Sequence, residues 1–211
     1  AVIFFFVLSG FVIHLNYIDK LGQFEDFKKV VLKFYFKRFK RIYPVLIFAL
    51  IFTFLCDQLI LEIYPNLVDG STNYNTINEF ISFNHDKYAI AGGILNLGDL
   101  GLPIFGSNGP LWSLSYEWWF YVIYPFLYFR IKNKSFLFYI IIFTLAFIAK
   151  HNIAEFVFFN KIFVGMASWG LGCLLAEVYL RRINIKLYQL IMILGVLLLL
   201  NLNYSLLGAD F

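Results

Sequence analysis

Glu117 stands in the run Gly109-Pro110-Leu111-Trp112-Ser113-Leu114-Ser115-Tyr116-Glu117-Trp118-Trp119-Phe120-Tyr121, where every other side chain is aromatic, aliphatic or hydroxylic. Pro110 suits the first turn of a helix, which needs no amide hydrogen there. A spacing of four then sets Ser113, Glu117 and Tyr121 on one stripe, so that a hydroxyl, a carboxyl and a phenol face the same way. An ionisable group in such surroundings, if they lie in hydrocarbon, reads as functional, which makes Glu117 a candidate. The same residues also suit an aromatic belt at a membrane surface with Glu117 reaching water. Spacing alone leaves both readings open.

A second group is basic. If residues 27–44 are helical, Lys29, Lys33, Lys37, Lys40 and Arg41 share one face while Val31, Phe34, Tyr35 and Ile42 lie largely on the other. That is the pattern of a helix lying in an interface against anionic lipids. Arg38 and Arg41 are three apart and therefore neighbours, and a pair of planar guanidinium groups suits the phosphates of a nucleotide-like ligand. Both functions remain open at this point.

The remaining candidates are weaker. Ser9 and Gly10 are expected to permit close helix packing, and His14, one turn on, to be a hydrogen-bonded bystander. His85 and His151 have no second ligand at metal-binding spacing, so no metal is expected. Cys56 and Cys173 stand singly in apolar segments, where they read as packing residues. Ser168, Gly172 and Ala176 recur every fourth residue, a small-residue face that invites a neighbouring helix.

The elements that must position these groups are membrane helices. The chain is 61% hydrophobic, 21% aromatic and only 14% charged, with a mean hydropathy of +0.76, whereas about a quarter of a soluble domain is charged. Apolar runs at 1–17, 42–61, 111–129, 136–149, 158–180 and 187–207 predict an all-α transmembrane bundle of about six spans forming one domain over residues 1–211. Residues 62–86 turn polar. Residues 88–105 are apolar but broken by Gly92, Gly93, Gly98, Gly101 and Pro103, which predicts a re-entrant or interfacial piece.

Basic residues cluster between the first two runs, after the third (Arg130, Lys132, Lys134) and after the fifth (Arg181, Arg182, Lys186), which places these loops in the cytoplasm. The net charge of +4 is therefore assigned to a lipid surface, with no nucleic acid as partner. The sequence opens directly on an apolar run without Met and closes just after another, so both ends are expected to be cut.

Three segments in order resemble the acyltransferase-3 family of bacterial membrane enzymes: Phe4-Phe5-Phe6-Val7-Leu8-Ser9-Gly10-Phe11, Arg38-Phe39-Lys40-Arg41-Ile42-Tyr43-Pro44, and the run from Gly109 to Glu117. The resemblance implies an O-acyltransferase of the bacterial inner membrane. Its co-substrate would be acyl-CoA, often acetyl-CoA, with no permanently bound cofactor. Its acceptor would be a hydroxyl of a cell-surface carbohydrate or similar molecule, lipid-linked glycans included. The family's arginine pair maps onto Arg38 and Arg41 as the donor-phosphate site, and its W-S-L-x-x-E pattern onto Trp112, Ser113, Leu114 and Glu117. Its proposed catalytic histidine, with a basic residue about three turns before it, belongs to a helix preceding Phe4, so the chain is expected to be a piece lacking that base. The competing reading is a transporter or flippase for a lipid-linked glycan, which would use the same buried carboxylate and broken segment, although no pair of matching halves is visible.

Overall fold

The computed structural model describes residues 2–22, 27–64, 83–130, 135–150 and 157–183. These form six helices: α1 (Val2–Gly22), α2 (Phe27–Ile63), α3 (Lys87–Leu95), α4 (Leu111–Arg130), α5 (Ser135–Lys150) and α6 (Val157–Tyr179). The expected all-α class is present, and the described residues contain no strand, only an isolated bridge between Gly98 and Leu102. The run at 187–207, most of the polar stretch at 62–86 and His151 lie outside the described residues.

Two helices, α2 and α6, are long and apolar enough to cross a membrane, while α1 and α5 contain shorter apolar stretches, Val2–Tyr17 and Leu137–Lys150. A clear difference from the sequence reading concerns α2. The basic segment and the apolar run beginning at residue 42 are one helix of 37 residues with Pro44 inside it. Proline removes one helical hydrogen bond and crowds the preceding turn, but membrane helices tolerate that loss, and the long buried stripe on either side of Pro44 holds the helix together. At 1.5 Å per residue α2 is about 55 Å long, well beyond the ~30 Å of a hydrocarbon core.

The chain divides into two compact units, one of residues 1–33 and 120–211 and the other of residues 34–119. In the first, α1 packs against α6 and α5 against α6. The approach of α1 to α6 is set by glycine: a Cβ on Gly172 would land on the Val7 carbonyl oxygen, and one on Gly10 on the Trp169 carbonyl oxygen. The small-residue face read from Ser168, Gly172 and Ala176 thus has α1 as its neighbour, and Ser9-Gly10 is the matching surface. Cys173 is fully buried against this crossing, with Sγ 3.6 Å from the Gly10 carbonyl. Trp169 and Tyr124, both wholly buried, meet edge to face at 5.0 Å.

In the second unit the buried face of α2 runs Phe34, Arg38, Ile42, Leu46, Leu50, Thr53 and Asp57, spaced by threes and fours along one side. Leu46 and Leu50 form a core with Ala89 and Phe105, against which Tyr43, Leu111 and Leu114 pack. The broken segment begins as α3, capped by Asp86, whose side chain accepts from the Ala89 amide at 2.7 Å. It ends at Asn96 in the left-handed conformation, φ 54°. Nine helical residues rise about 14 Å, too short to cross. The rest of 88–105 is irregular chain, with the Leu97 and Gly98 amides both donating to the Gly92 carbonyl.

Candidate active site

The basic face of α2 is arranged as its periodicity requires. Lys29, Lys33, Lys37, Lys40 and Arg41 are exposed, while Phe34 and Ile42 are buried. Arg38 belongs to the buried side, only 9% exposed, with its guanidinium carbon 5.4 Å from the centre of the Phe34 ring. The two arginines therefore differ in environment: Arg38 is held against the protein, and Arg41 reaches outward with the lysines.

Glu117 is 6% exposed on α4, in a stretch of helix tied down on several sides. The Tyr116 hydroxyl donates to Asp99 Oδ2 at 3.0 Å, and the Trp119 indole donates to the Asn96 carbonyl at 2.8 Å. Trp118 meets Tyr43 of α2 edge to face at 5.1 Å, and Tyr43 in turn stacks on Phe39 at 4.2 Å. These anchors fix the turn that carries the carboxyl. They also favour the interior reading of Glu117 over one in which it reaches water, because a side chain so enclosed has little contact with solvent.

The stripe of Ser113, Glu117 and Tyr121 is present as helix geometry, but its hydroxyls are engaged elsewhere. Ser113 donates to the Pro110 carbonyl within its own first turn at 2.9 Å, and Tyr121 shares a hydrogen bond with Ser9 at 3.0 Å. Nearby, Asn96 is fully buried, and neither atom of its side-chain amide has a partner among the described residues. A buried amide left in that state is costly and is found where a ligand or ordered water completes it.

His14 is held through both ring nitrogens. Its Nδ1 lies 2.9 Å from the Tyr124 hydroxyl and its Nε2 3.1 Å from Glu177 Oε1, with the ring wholly buried. It is the hydrogen-bonded residue the sequence suggested, although its acidic partner on α6 had not been anticipated.

Sequence reasoning also passed over Asp57, the centre of a polar cluster at the far end of the buried face of α2. Its Oδ2 lies 2.8 Å from His85 Nε2 and accepts from the Ser107 amide at 3.0 Å. Its Oδ1 accepts from the Ser107 hydroxyl. Asn108 Nδ2 donates to Thr53 Oγ1 one turn back at 3.0 Å. A Cβ on Gly106, which has φ +61°, would collide with Asp57 Oδ2, so that position requires glycine twice over. The signal was available: an acidic residue inside a run read as a membrane span is itself a pointer to a site, and Glu177 stood in the same position within the run at 158–180. Among the described residues no group of three His, Cys, Asp or Glu side chains is placed to hold a metal ion.

A family model described as an acyltransferase domain matches residues 1–209. The chain belongs to the acyltransferase-3 family, and its class is that of an acyltransferase acting on an acyl donor and an acceptor. No curated protein and no solved structure matches it.

Proposed function

We propose that the chain is the membrane-embedded part of an O-acyltransferase of the bacterial inner membrane. It moves an acyl group, acetyl in the first instance, from acyl-CoA to a hydroxyl of a cell-surface carbohydrate or similar acceptor. The observation that carries this beyond the family assignment is the burial of Glu117 in a helix turn anchored from several sides, the condition in which a carboxyl orients a reacting group. Arg38, held on the buried face of an otherwise outward-facing basic helix, supports a donor-phosphate site with Arg41 beside it. In this reading α1, α2, α4, α5 and α6 cross the membrane and α3 does not, with the basic clusters on the cytoplasmic side.

In the reaction the acceptor oxygen attacks the thioester carbonyl carbon, directly or through an acyl relay. The carbon–sulfur bond breaks, CoA leaves as the thiolate, and the hydroxyl proton passes to a base. In this reading that base is a histidine of a helix preceding Phe4. Glu117, with Ser113, orients the acceptor or that histidine.

The test is acyl transfer from radiolabelled acetyl-CoA in membrane vesicles of the full-length protein, with Glu117→Gln set beside the unsubstituted enzyme and glycan export followed in parallel. Loss of transfer with export intact supports the enzyme. Loss of export with transfer intact would replace it by the flippase reading.

A further inference from the structure

Beside the Asp57 cluster, α2 and α3 of the second unit enclose a cleft of about 330 Å³, at the small end of the usual range for ligand sites. Its walls include Ile47, Ile51 and Phe54 on α2 and Ile90 and Ile94 on α3, and among the described residues His85 is the one polar side chain in the lining. These five apolar walls all remain exposed. α2 is apolar enough to cross a bilayer, and in a bilayer hydrocarbon would be the medium against such a surface. From Ile47 to Phe54 the cleft follows α2 for two turns, about 10 Å. The imidazole of His85 is flanked edge to face by Phe54 at 5.3 Å and Phe105 at 5.2 Å.

The chemistry of that imidazole follows from its partner. Asp57 already accepts the amide and the hydroxyl of Ser107, and an ionised carboxylate only accepts, so His85 Nε2 must bring the hydrogen to their contact. In the neutral imidazole Nδ1 then keeps a lone pair and can accept. Hydrocarbon walls ending at a single imidazole acceptor suit an amphiphile: a long chain to fill the cleft and a hydroxyl to meet the ring.

We propose that the cleft seats one hydrocarbon chain of a hydroxyl-bearing amphiphile, with the Asp57-held imidazole of His85 accepting a hydrogen bond from the head-group hydroxyl. The site rests on the acyltransferase reading only in making that amphiphile an acyl acceptor, or its lipid carrier. Seating itself is measured without turnover.

The experiment uses the full-length protein in lipid nanodiscs and a sixteen-carbon alcohol carrying a mid-chain diazirine as photoprobe. Labelled positions are mapped by peptide mass spectrometry. The expected result is label on Ile51, Phe54, Ile90 and Ile94 that excess hexadecanol displaces. Filling the cleft with Ile90→Trp should lower it about tenfold, whereas Phe52→Trp on the exposed side of α2 should not. His85→Ala should lower labelling by the alcohol but not by its methyl ether.

Label spread evenly over Phe48, Phe52 and Leu55 and indifferent to Ile90→Trp would reduce the cleft to ordinary lipid contact and overturn the proposal. Absence of label at all four cleft positions would show another part of the chain covering it, with the same consequence. Equal loss for alcohol and ether in His85→Ala would remove the hydrogen bond. A protein that labels as expected yet transfers no acyl group would keep the site and sink the acyltransferase reading, so the two fail separately.

Discussion

His14 Nε2 and Glu177 Oε1 lie 3.1 Å apart, both side chains wholly buried, joining α1 to α6 across 163 residues of sequence. The second ring nitrogen is taken by Tyr124, and Tyr128 and Phe138 close over the imidazole at 5.0 and 6.4 Å. A carboxyl enclosed this way depends on its partner, because a buried polar group left unpaired is far more costly than the pair.

His14→Ala should therefore destabilise the protein by about 3 kcal/mol, seen as a fall in apparent melting temperature on the order of 10 °C in detergent or nanodiscs. The double substitution His14→Phe, Glu177→Leu should recover most of that loss, since replacing both members of a buried pair by apolar groups is often neutral. No recovery would mean that the pair contributes more than the mutual satisfaction of two buried polar groups.

Gly172→Ala should cost about 1–3 kcal/mol, because the added methyl meets the Val7 backbone of α1 rather than a side chain that can turn away. Gly109→Ala is the control: nothing lies within 4 Å of a Cβ there, and its effect should stay within about 0.5 kcal/mol. Thermal unfolding of the two variants side by side measures the difference.

Arg38→Lys keeps the charge but loses the planar fork, and at a donor-phosphate site it should raise KM for acyl-CoA about tenfold with a smaller change in kcat. Arg41→Ala should also raise KM, and its effect should shrink as salt is added, because exposed charges are screened. Steady-state transfer assays at low and high ionic strength separate these outcomes. An unchanged KM in both variants would return the arginines to lipid anchoring.

Tyr116→Phe removes the hydrogen bond to Asp99 and leaves that carboxylate one donor short. A stability loss of about 1 kcal/mol is expected. If the turn bearing Glu117 depends on this anchor, kcat should fall by more than that loss explains while folding, followed by size-exclusion profile, is kept.

How much was legible beforehand depended on whether the information was local. The exposed lysines and buried Phe34 and Ile42 followed from a 3.6-residue period, and the match of Ser168, Gly172 and Ala176 to a partner helix followed from residue size. The interruption of 88–105 followed from its glycines and Pro103, whereas the short helix at its start did not. The continuity of α2 through Pro44 did not, because a proline beside a change from basic to apolar composition looks like a boundary, whereas the buried stripe on both sides of it is visible only after folding. Asp57 with His85, and His14 with Glu177, were hidden for a related reason. Each carboxylate finds its imidazole 28 or 163 residues away, and nothing in local spacing announces such a pair, although each acid could have been marked by the apolar run that contains it.

Arg38 and Asp57 lie on the same buried face of a single helix, nineteen residues apart, which at 1.5 Å each sets about 29 Å between them along the axis. That is close to the ~30 Å depth of a hydrocarbon core. An α-helix is a ruler: no side-chain rotation shortens it, and bending changes its span only slightly. Phosphates gripped at Arg38 and a hydroxyl met beside Asp57 would stand a fixed membrane's depth apart, so the acyl group itself would have to make the journey while the scaffold stays still.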